Sequence, residues 1–377
     1  MSQSAVLISC SDHYHDRMYL WDTCLQRFHV RTQYVTGDFH HRNKTAYYCP
    51  VPGSRQIHVH PYRKNLSIAR ILSHRKFAKD VRSYLESCCP NIIVALLPPN
   101  FLGHELAKYK KAHPDCILIF DIFDMWPETF PYAGAKKVLS PVFRIWSALR
   151  DRSLPAADHV VTECELFRSM LKLQNRPSTT VMLSASDTAT VRTTSASEDT
   201  IELCYLGSIN NVIDIDQIIA LLQDLVTHKS VTLHIIGKGE KEHELIRRAA
   251  ESGAHVEFHG SIYNDVEKQK IMDHCHFGLN IMKPTVCVGL TMKSVDYFRF
   301  GLPVINNIPG DTAQLLQDYQ AGIQLDDHCV RKVVNTTLDQ LHSMEQNSRK
   351  LFENKFSEPV ILAQITGILQ DLLSGES

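Results

Sequence analysis

Gly289-Leu290-Thr291-Met292-Lys293-Ser294-Val295-Asp296-Tyr297-Phe298-Arg299-Phe300-Gly301-Leu302-Pro303 is the most informative stretch of this 377-residue chain. A glycine follows a polar loop and opens a helix, Gly301 ends that helix, and Pro303 starts the next strand. Lys293 and Asp296 stand three apart and share a helix face. The helix N-terminus offers free backbone N–H groups and a positive dipole end, which suit a diphosphate near Gly289, Leu290 and Thr291. Lys293 would add a point charge, and Asp296 would accept hydrogen bonds from ribose hydroxyls. Spacing alone equally fits a buried helix carrying a surface ion pair.

The flanking sequence reads as an α/β series. Glu202–Gly207, Thr232–Gly237, His255–Gly260, Phe277–Ile281 and Pro303–Asn306 are short apolar runs ending at glycine or a polar residue. Helical spacing separates them over Asp214–His228, over Lys238–Ser252 and on to His274. The N-terminal half repeats the pattern, with strands at Ala5–Ser9, Asn91–Leu97, Cys116–Asp121 and His159–Thr162. Helices are expected at Phe77–Glu86 and Phe101–Lys111. Short strands alternating with helices predict parallel sheets covered on both faces, with ligands at their carboxyl edges. Ser184–Thr200, rich in Ser, Thr, Asp and Ala, reads as a linker. The expected domains are 1–185 and 186–355. Residues 356–377 form a last helix expected to pack toward the N-terminal domain.

Composition narrows the class. Hydrophobic residues make up 44% and charged residues 21%, as in an ordinary globular protein. Forty basic and 41 acidic residues leave a net charge of -1, which argues against a nucleic-acid partner. The 11 cysteines form no Cys-x-x-Cys or His–Cys spacing that reads as zinc, and an odd count without a framework points to reduced thiols. The 20 histidines look scattered. Met1–Ser11 lacks the features of a signal peptide, and no apolar run approaches the roughly 20 residues that span a bilayer. A cytoplasmic protein is expected.

Four pieces in order resemble the donor domain of the GT-B glycosyltransferases related to family GT4 (group 1). They are Tyr205-Leu206-Gly207-Ser208, Ile235-Ile236-Gly237-Lys238-Gly239, Phe258-His259-Gly260, and Asp296 with its Gly301-Leu302-Pro303-Val304-Ile305 tail. The resemblance implies two Rossmann-like domains facing a central cleft, with Gly207, Ser208, Asn210, Lys238, Gly289, Leu290, Thr291, Lys293 and Asp296 binding the donor. Two positions depart from the pattern. Val288 stands where the first acid of a Glu-x7-Glu motif is expected, and Ser208 where many relatives carry arginine. Asn210 and Asn211 bring no charge, so Lys238, Lys283 and Lys293 are the available cations for the diphosphate.

A second segment, Asp121-Ile122-Phe123-Asp124-Met125-Trp126-Pro127-Glu128-Thr129, resembles the Asp-x-x-Trp-Pro-Glu signature of exopolysaccharide and capsule glycosyltransferases. It gives Asp124 and Glu128 as catalytic candidates and Trp126 as a platform for an acceptor sugar; a capped turn is the alternative. His13 joins the catalytic candidates and Asp12 the acceptor-binding ones, from the first βα turn. Lys136–Arg152 reads either as a basic amphipathic helix at an anionic membrane or as a core-facing helix with solvated arginines. The resemblance implies retaining transfer from a nucleotide diphosphate sugar, UDP-sugar favoured, to a glycan or lipid-linked acceptor, with no obligate metal or cofactor. The alternatives are a degenerate partner subunit of a glycosylation complex and a nucleotide-sugar 2-epimerase.

Overall fold

The computed structural model describes residues 3–11, 15–41, 43–130, 140–182, 192 and 197–374. The chain forms two compact units, Met1–Met182 with Ile361–Ser377, and Leu183–Val360.

Among its described residues the first unit carries nine strands: β1 (Ser4–Ser9), β2 (Arg31–Gly37), β3 (Phe39–His40), β4 (Thr45–Ala46), β5 (Arg55–Ile57), β6 (Ile92–Leu97), β7 (Ile117–Ile122), β8 (His159–Thr162) and β9 (Ser178–Thr180). Seven make one parallel sheet in the order β5-β2-β1-β6-β7-β8-β9, while β3 and β4 form a small antiparallel ribbon. All six residues of β6 are buried, as expected of a central strand covered on both faces. Helices His15–Arg27, Ile68–Cys88 and Asn100–Ala112 run between the strands, the second capped by the Ser67 side chain. From the last helix, Glu358–Ser374, Ile361, Leu362, Ile365, Ile368 and Leu369 enter the core around Met18, Trp21 and Leu25.

The second unit contains β10 (Thr200–Leu206), β11 (Ser230–Ile236), β12 (His255–Gly260), β13 (Phe277–Asn280), β14 (Val304–Asn306) and β15 (Gly322–Gln324). They form one parallel sheet ordered β12-β11-β10-β13-β14-β15. Both sheets therefore follow the doubly wound order, whose direction reverses between β1 and β6 and between β10 and β13. Ligands of such sheets bind beyond the strand ends at that reversal. Helix Ile215–Leu225 buries Ile215, Ile218, Ile219, Leu221, Leu222 and Leu225 on one stripe, and the Asp214 side chain caps it. The two-domain α/β reading is correct, and the expected strands appear within a residue or two of their places. The differences are local, and the helix expected at Phe77–Glu86 is longer, Ile68–Cys88. Helix Met292–Arg299 starts after an N-cap at Thr291, later than a helix opened by Gly289. The helix expected from Lys238 starts at Glu242, because the turn after β11 takes the intervening residues. Most of the expected linker lies outside the described residues, and β10 already begins at Thr200.

Among the described residues no helix is long and apolar enough to cross a membrane.

Candidate functional site

In the second unit, the reversal between β10 and β13 is built from tight glycine turns. Gly207 leaves β10 at φ +116°, and its N–H donates to Ile236 O at 2.8 Å. Gly237 follows β11 at φ +152°, and a Cβ there would stand 1.9 Å from the Gly207 carbonyl oxygen. The two βα turns approach so closely that only glycine fits. Next to them, the N-terminus of helix Met292–Arg299 is fixed by a chain of side chains running through the buried Asn280 and Asn306. The Thr291 hydroxyl accepts from Ser294 N–H (3.2 Å) and donates to Asn280 Oδ1 (2.9 Å). Asn280 Nδ2 donates to Asn306 Oδ1 (2.9 Å), and Asn306 Nδ2 reaches Gln324 Oε1 (2.9 Å). Asn280, Asn306 and Gln324 belong to three adjacent strands, so the chain holds the helix start against the sheet's carboxyl edge. Gly289 O accepts from both the N–H and the hydroxyl of Thr312. Leu290 is buried beside it.

Lys293 lies in the first turn of this helix, and its ammonium sits over the Tyr205 ring, 4.5 Å from the centroid and 3.4 Å from the phenol oxygen. A Cβ on Gly207 would lie 3.9 Å from Lys293 Cε. Burial brings the Lys293 pKa down to about 8. Among the described residues no carboxylate pairs with it. The surface ion pair with Asp296 that spacing allowed does not form. Asp296 instead binds Arg299 at 3.0 Å, and Arg299 also grips Asp265 at 2.9 and 3.1 Å. Burial, opposed by Arg299, raises the Asp296 pKa. Of the other donor candidates, Ser208 and Lys238 are exposed on the turns, and Asn210 Oδ1 caps the Val212 N–H at 3.1 Å. Asn211 bonds Glu240, and Lys283 and Val288 are half-buried. An Asp-x-Asp triplet, Asp214-Ile215-Asp216, serves structure: Asp214 caps a helix and Asp216 pairs with Arg248 at 2.7 Å.

In the first unit, the segment after β7 is tied down side chain by side chain. Asp121 is fully buried and bound by Arg17 and Trp21. Asp124 accepts from Trp126 Nε1 (2.6 Å) and the Thr129 hydroxyl (2.5 Å), while burial pushes its pKa up. Trp126 is already surrounded: the Arg70 guanidinium lies 4.0 Å above its ring, His74 stacks at 5.8 Å, and Phe130 and Trp146 flank it. Glu128 makes a two-pronged pair with Arg150, at 2.8 and 3.0 Å. Asp12 and His13 lie outside the described residues, as does the start of the Lys136–Arg152 segment. Its described part, helix Ser140–Asp151, exposes Val142 and Ile145.

Arg70 and His74 did not stand out in the sequence. They are buried one turn apart on helix Ile68–Cys88, with Arg70 Nε and His74 Nδ1 lacking hydrogen-bond partners among the described residues. An Arg-x-x-x-His step inside an otherwise apolar helical stripe is the signal that marks them.

The Glu128–Arg150 geometry sets an expectation. Glu128→Gln removes a charge-assisted pair to a buried guanidinium and should cost about 1–3 kcal/mol, read from the urea midpoint. A fall in kcat without that loss would put Glu128 in the chemistry instead.

Residues 200–342 match the family model described as Glycosyl transferases group 1. No curated protein sequence matches the chain. Among solved structures, sucrose-phosphate synthase from Thermosynechococcus elongatus superposes with a TM-score of 0.70 at 12% identity, covering 99% of this chain and 100% of that one. The lipopolysaccharide outer core galactosyltransferase WaaB, apo form, gives 0.68 at 12% identity, covering 98% and 99%. Anabaena Alr3699/HepE in complex with UDP and glucose gives 0.64 at 12% identity, covering 98% and 100%. The fold is GT-B. With the group 1 domain over 200–342, it supports a glycosyltransferase.

Proposed function

We propose that this chain is a retaining hexosyltransferase that moves a sugar from a nucleotide diphosphate sugar to a hydroxyl of a glycan or lipid-linked acceptor in surface polysaccharide synthesis. Lys293 carries the reading. It is a desolvated cation with no carboxylate partner among the described residues, at the sheet reversal, beside the N-terminus of helix Met292–Arg299 and the Gly207 turn. A diphosphate supplies the missing counter-charge, and the helix amides add donors. In the reaction the bond from the anomeric carbon to the β-phosphate oxygen breaks. A bond to the acceptor oxygen forms on the same face, and the acceptor proton passes to the departing phosphate. The amides and Lys293 stabilise the charge that develops on that phosphate, so the transfer needs no metal.

UDP-sugars are the first donors to test, since HepE, a relative by fold, is recorded with UDP and glucose. A lipid-linked acceptor would put the reaction at the cytoplasmic face of a membrane, and the exposed Val142 and Ile145 support peripheral contact there. The degenerate-partner reading rests on Val288 and Ser208, and it requires nucleotide binding without turnover. The full chain is incubated in EDTA with UDP-, GDP- and dTDP-sugars, with and without lipid-linked acceptor, and nucleotide diphosphate release is followed. Acceptor-dependent release from a UDP-sugar is expected. No turnover and no thermal shift with any nucleotide would sink the proposal, and epimer formation without acceptor would favour a 2-epimerase.

A further inference from the structure

Strand β12 is the edge of the second unit's sheet, and its sequence His255-Val256-Glu257-Phe258-His259 alternates polar and apolar residues. The period of two puts His255, Glu257 and His259 on one face. In register, Glu257 lies opposite His234 of β11, on the same face. The pairing then slips: Ile235 faces Phe258 but Ile236 faces Gly260, leaving His259 as the extra residue of a bulge. Bulges at sheet edges re-aim a side chain, and here the His259 ring stacks on His234.

Three ligand atoms converge as a result. His234 Nδ1 is 3.1 Å from His259 Nε2 and 3.3 Å from Glu257 Oε2, and the last two are 3.8 Å apart. The circle through a triangle with these sides has a radius of about 2.0 Å, which matches the bonds of about 2.0–2.2 Å that zinc makes to imidazole nitrogen and carboxylate oxygen. On its other side, His234 Nε2 meets Glu202 Oε2 of β10 at 3.2 Å. A proton on Nε2 donated to Glu202 leaves the Nδ1 lone pair directed at His259 and Glu257. A carboxylate behind a ligating histidine is the usual outer support of a metal site. The side chains of His234, His259 and Glu257 are 10%, 22% and 46% exposed, so an ion has a way in and a water can complete the fourth position.

We propose that His234, Glu257 and His259 form a binding site for a divalent zinc-like cation, with Glu202 as its positioning residue. Two imidazoles and one carboxylate select Zn2+, Co2+ or Ni2+ over Mg2+ or Ca2+, which favour all-oxygen sets. The ion would cross-link edge strand β12 to β11. It would thereby secure the strand that leads into Gly260, whose carbonyl accepts from Gly237 N–H at 2.7 Å. The role is structural and separate from sugar transfer.

The test titrates the chelator-treated, dialysed full-length chain with Co2+, followed by displacement with Zn2+. One equivalent is expected to give the visible d–d absorption of a four-coordinate centre and to raise the melting temperature. His234→Ala and His259→Ala should abolish both signals. Glu202→Gln should weaken Co2+ binding by about 10–100-fold, the loss typical when an outer-shell partner is removed. Mg2+ should do nothing. Circular dichroism confirms folding, and if an alanine variant does not fold, His259→Gln and Glu257→Gln carry the comparison. Absence of the absorption in the wild type, or its survival in the His234 and His259 variants, would overturn the proposal.

Discussion

Lys293→Met is expected to lower kcat/KM for the nucleotide sugar by about a hundred- to a thousandfold, the range seen when one preorganised charge-stabilising donor is removed, while leaving the fold at least as stable. The two effects separate because the ammonium is a burden in the empty protein. Its pKa falls from 10.5 to about 8 through burial, and no carboxylate among the described residues compensates. The folded chain thus holds this proton more weakly than the unfolded chain. Above pH 10.5 the amine is neutral in both states and contributes no penalty. The penalty grows as pH falls from 10.5 to 8 and is full below, at up to about 3 kcal/mol. Methionine removes that dependence, so its stability should be flatter between pH 8 and 10.5. Nucleotide binding runs the other way. A diphosphate favours the charged amine, so UDP affinity in the wild type should fall as pH rises past about 8, and the methionine variant should show no such inflection. Equal UDP affinity in the two proteins across that range would remove Lys293 from the donor site.

The sequence was most readable where several local signals agreed. β6, β7, β10 and β11 are apolar runs ending at turn residues, and each lies in the interior of a sheet, paired on both sides. Strand β2, Arg31–Gly37, escaped notice because its exposed start dilutes the apolar pattern, and β9 and β15 are only three residues long. At the proposed donor site, the glycine turns and the helix start could be read from residue order. The long-range partners could not: only the fold brings Lys293 over Tyr205, 88 positions away, or Asp265 to Arg299, 34 positions away. The histidines looked scattered along the chain. His234 and His259, 25 positions apart, meet because parallel register and a bulge place them together. The Trp126-Pro127-Glu128 segment stood out by its resemblance to a family signature, yet that gave no sign of Arg70, His74 and Arg150, which hold it from two other helices.

Asp121→Ala should be the most destabilising single change in the first unit, costing about 3–5 kcal/mol, because it strands a charge rather than merely losing a contact. Asp121 accepts from Arg17 Nε (2.7 Å), Arg17 Nη2 (3.1 Å) and Trp21 Nε1 (2.7 Å), and both ionic side chains are out of water. Arg17 also donates to Val181 O and Met182 O, so the pair fixes the chain after β9 as well as helix His15–Arg27. Whole domains are stable by only about 5–15 kcal/mol, so the loss is a large fraction of the unit's stability. The second unit has its own core and does not share the pair. The expected signature is a split melt. All three tryptophans, Trp21, Trp126 and Trp146, lie in the first unit. Tryptophan fluorescence should therefore report an early transition, while far-ultraviolet ellipticity keeps a later one that UDP still shifts upward. Asp121→Asn, which retains an acceptor but no charge, should fall between Ala and the wild type. A variant Asp121→Ala whose fluorescence midpoint stays within about 1 kcal/mol of the wild type would mean that Arg17 finds other compensation, since a buried guanidinium left without its carboxylate cannot come so cheaply.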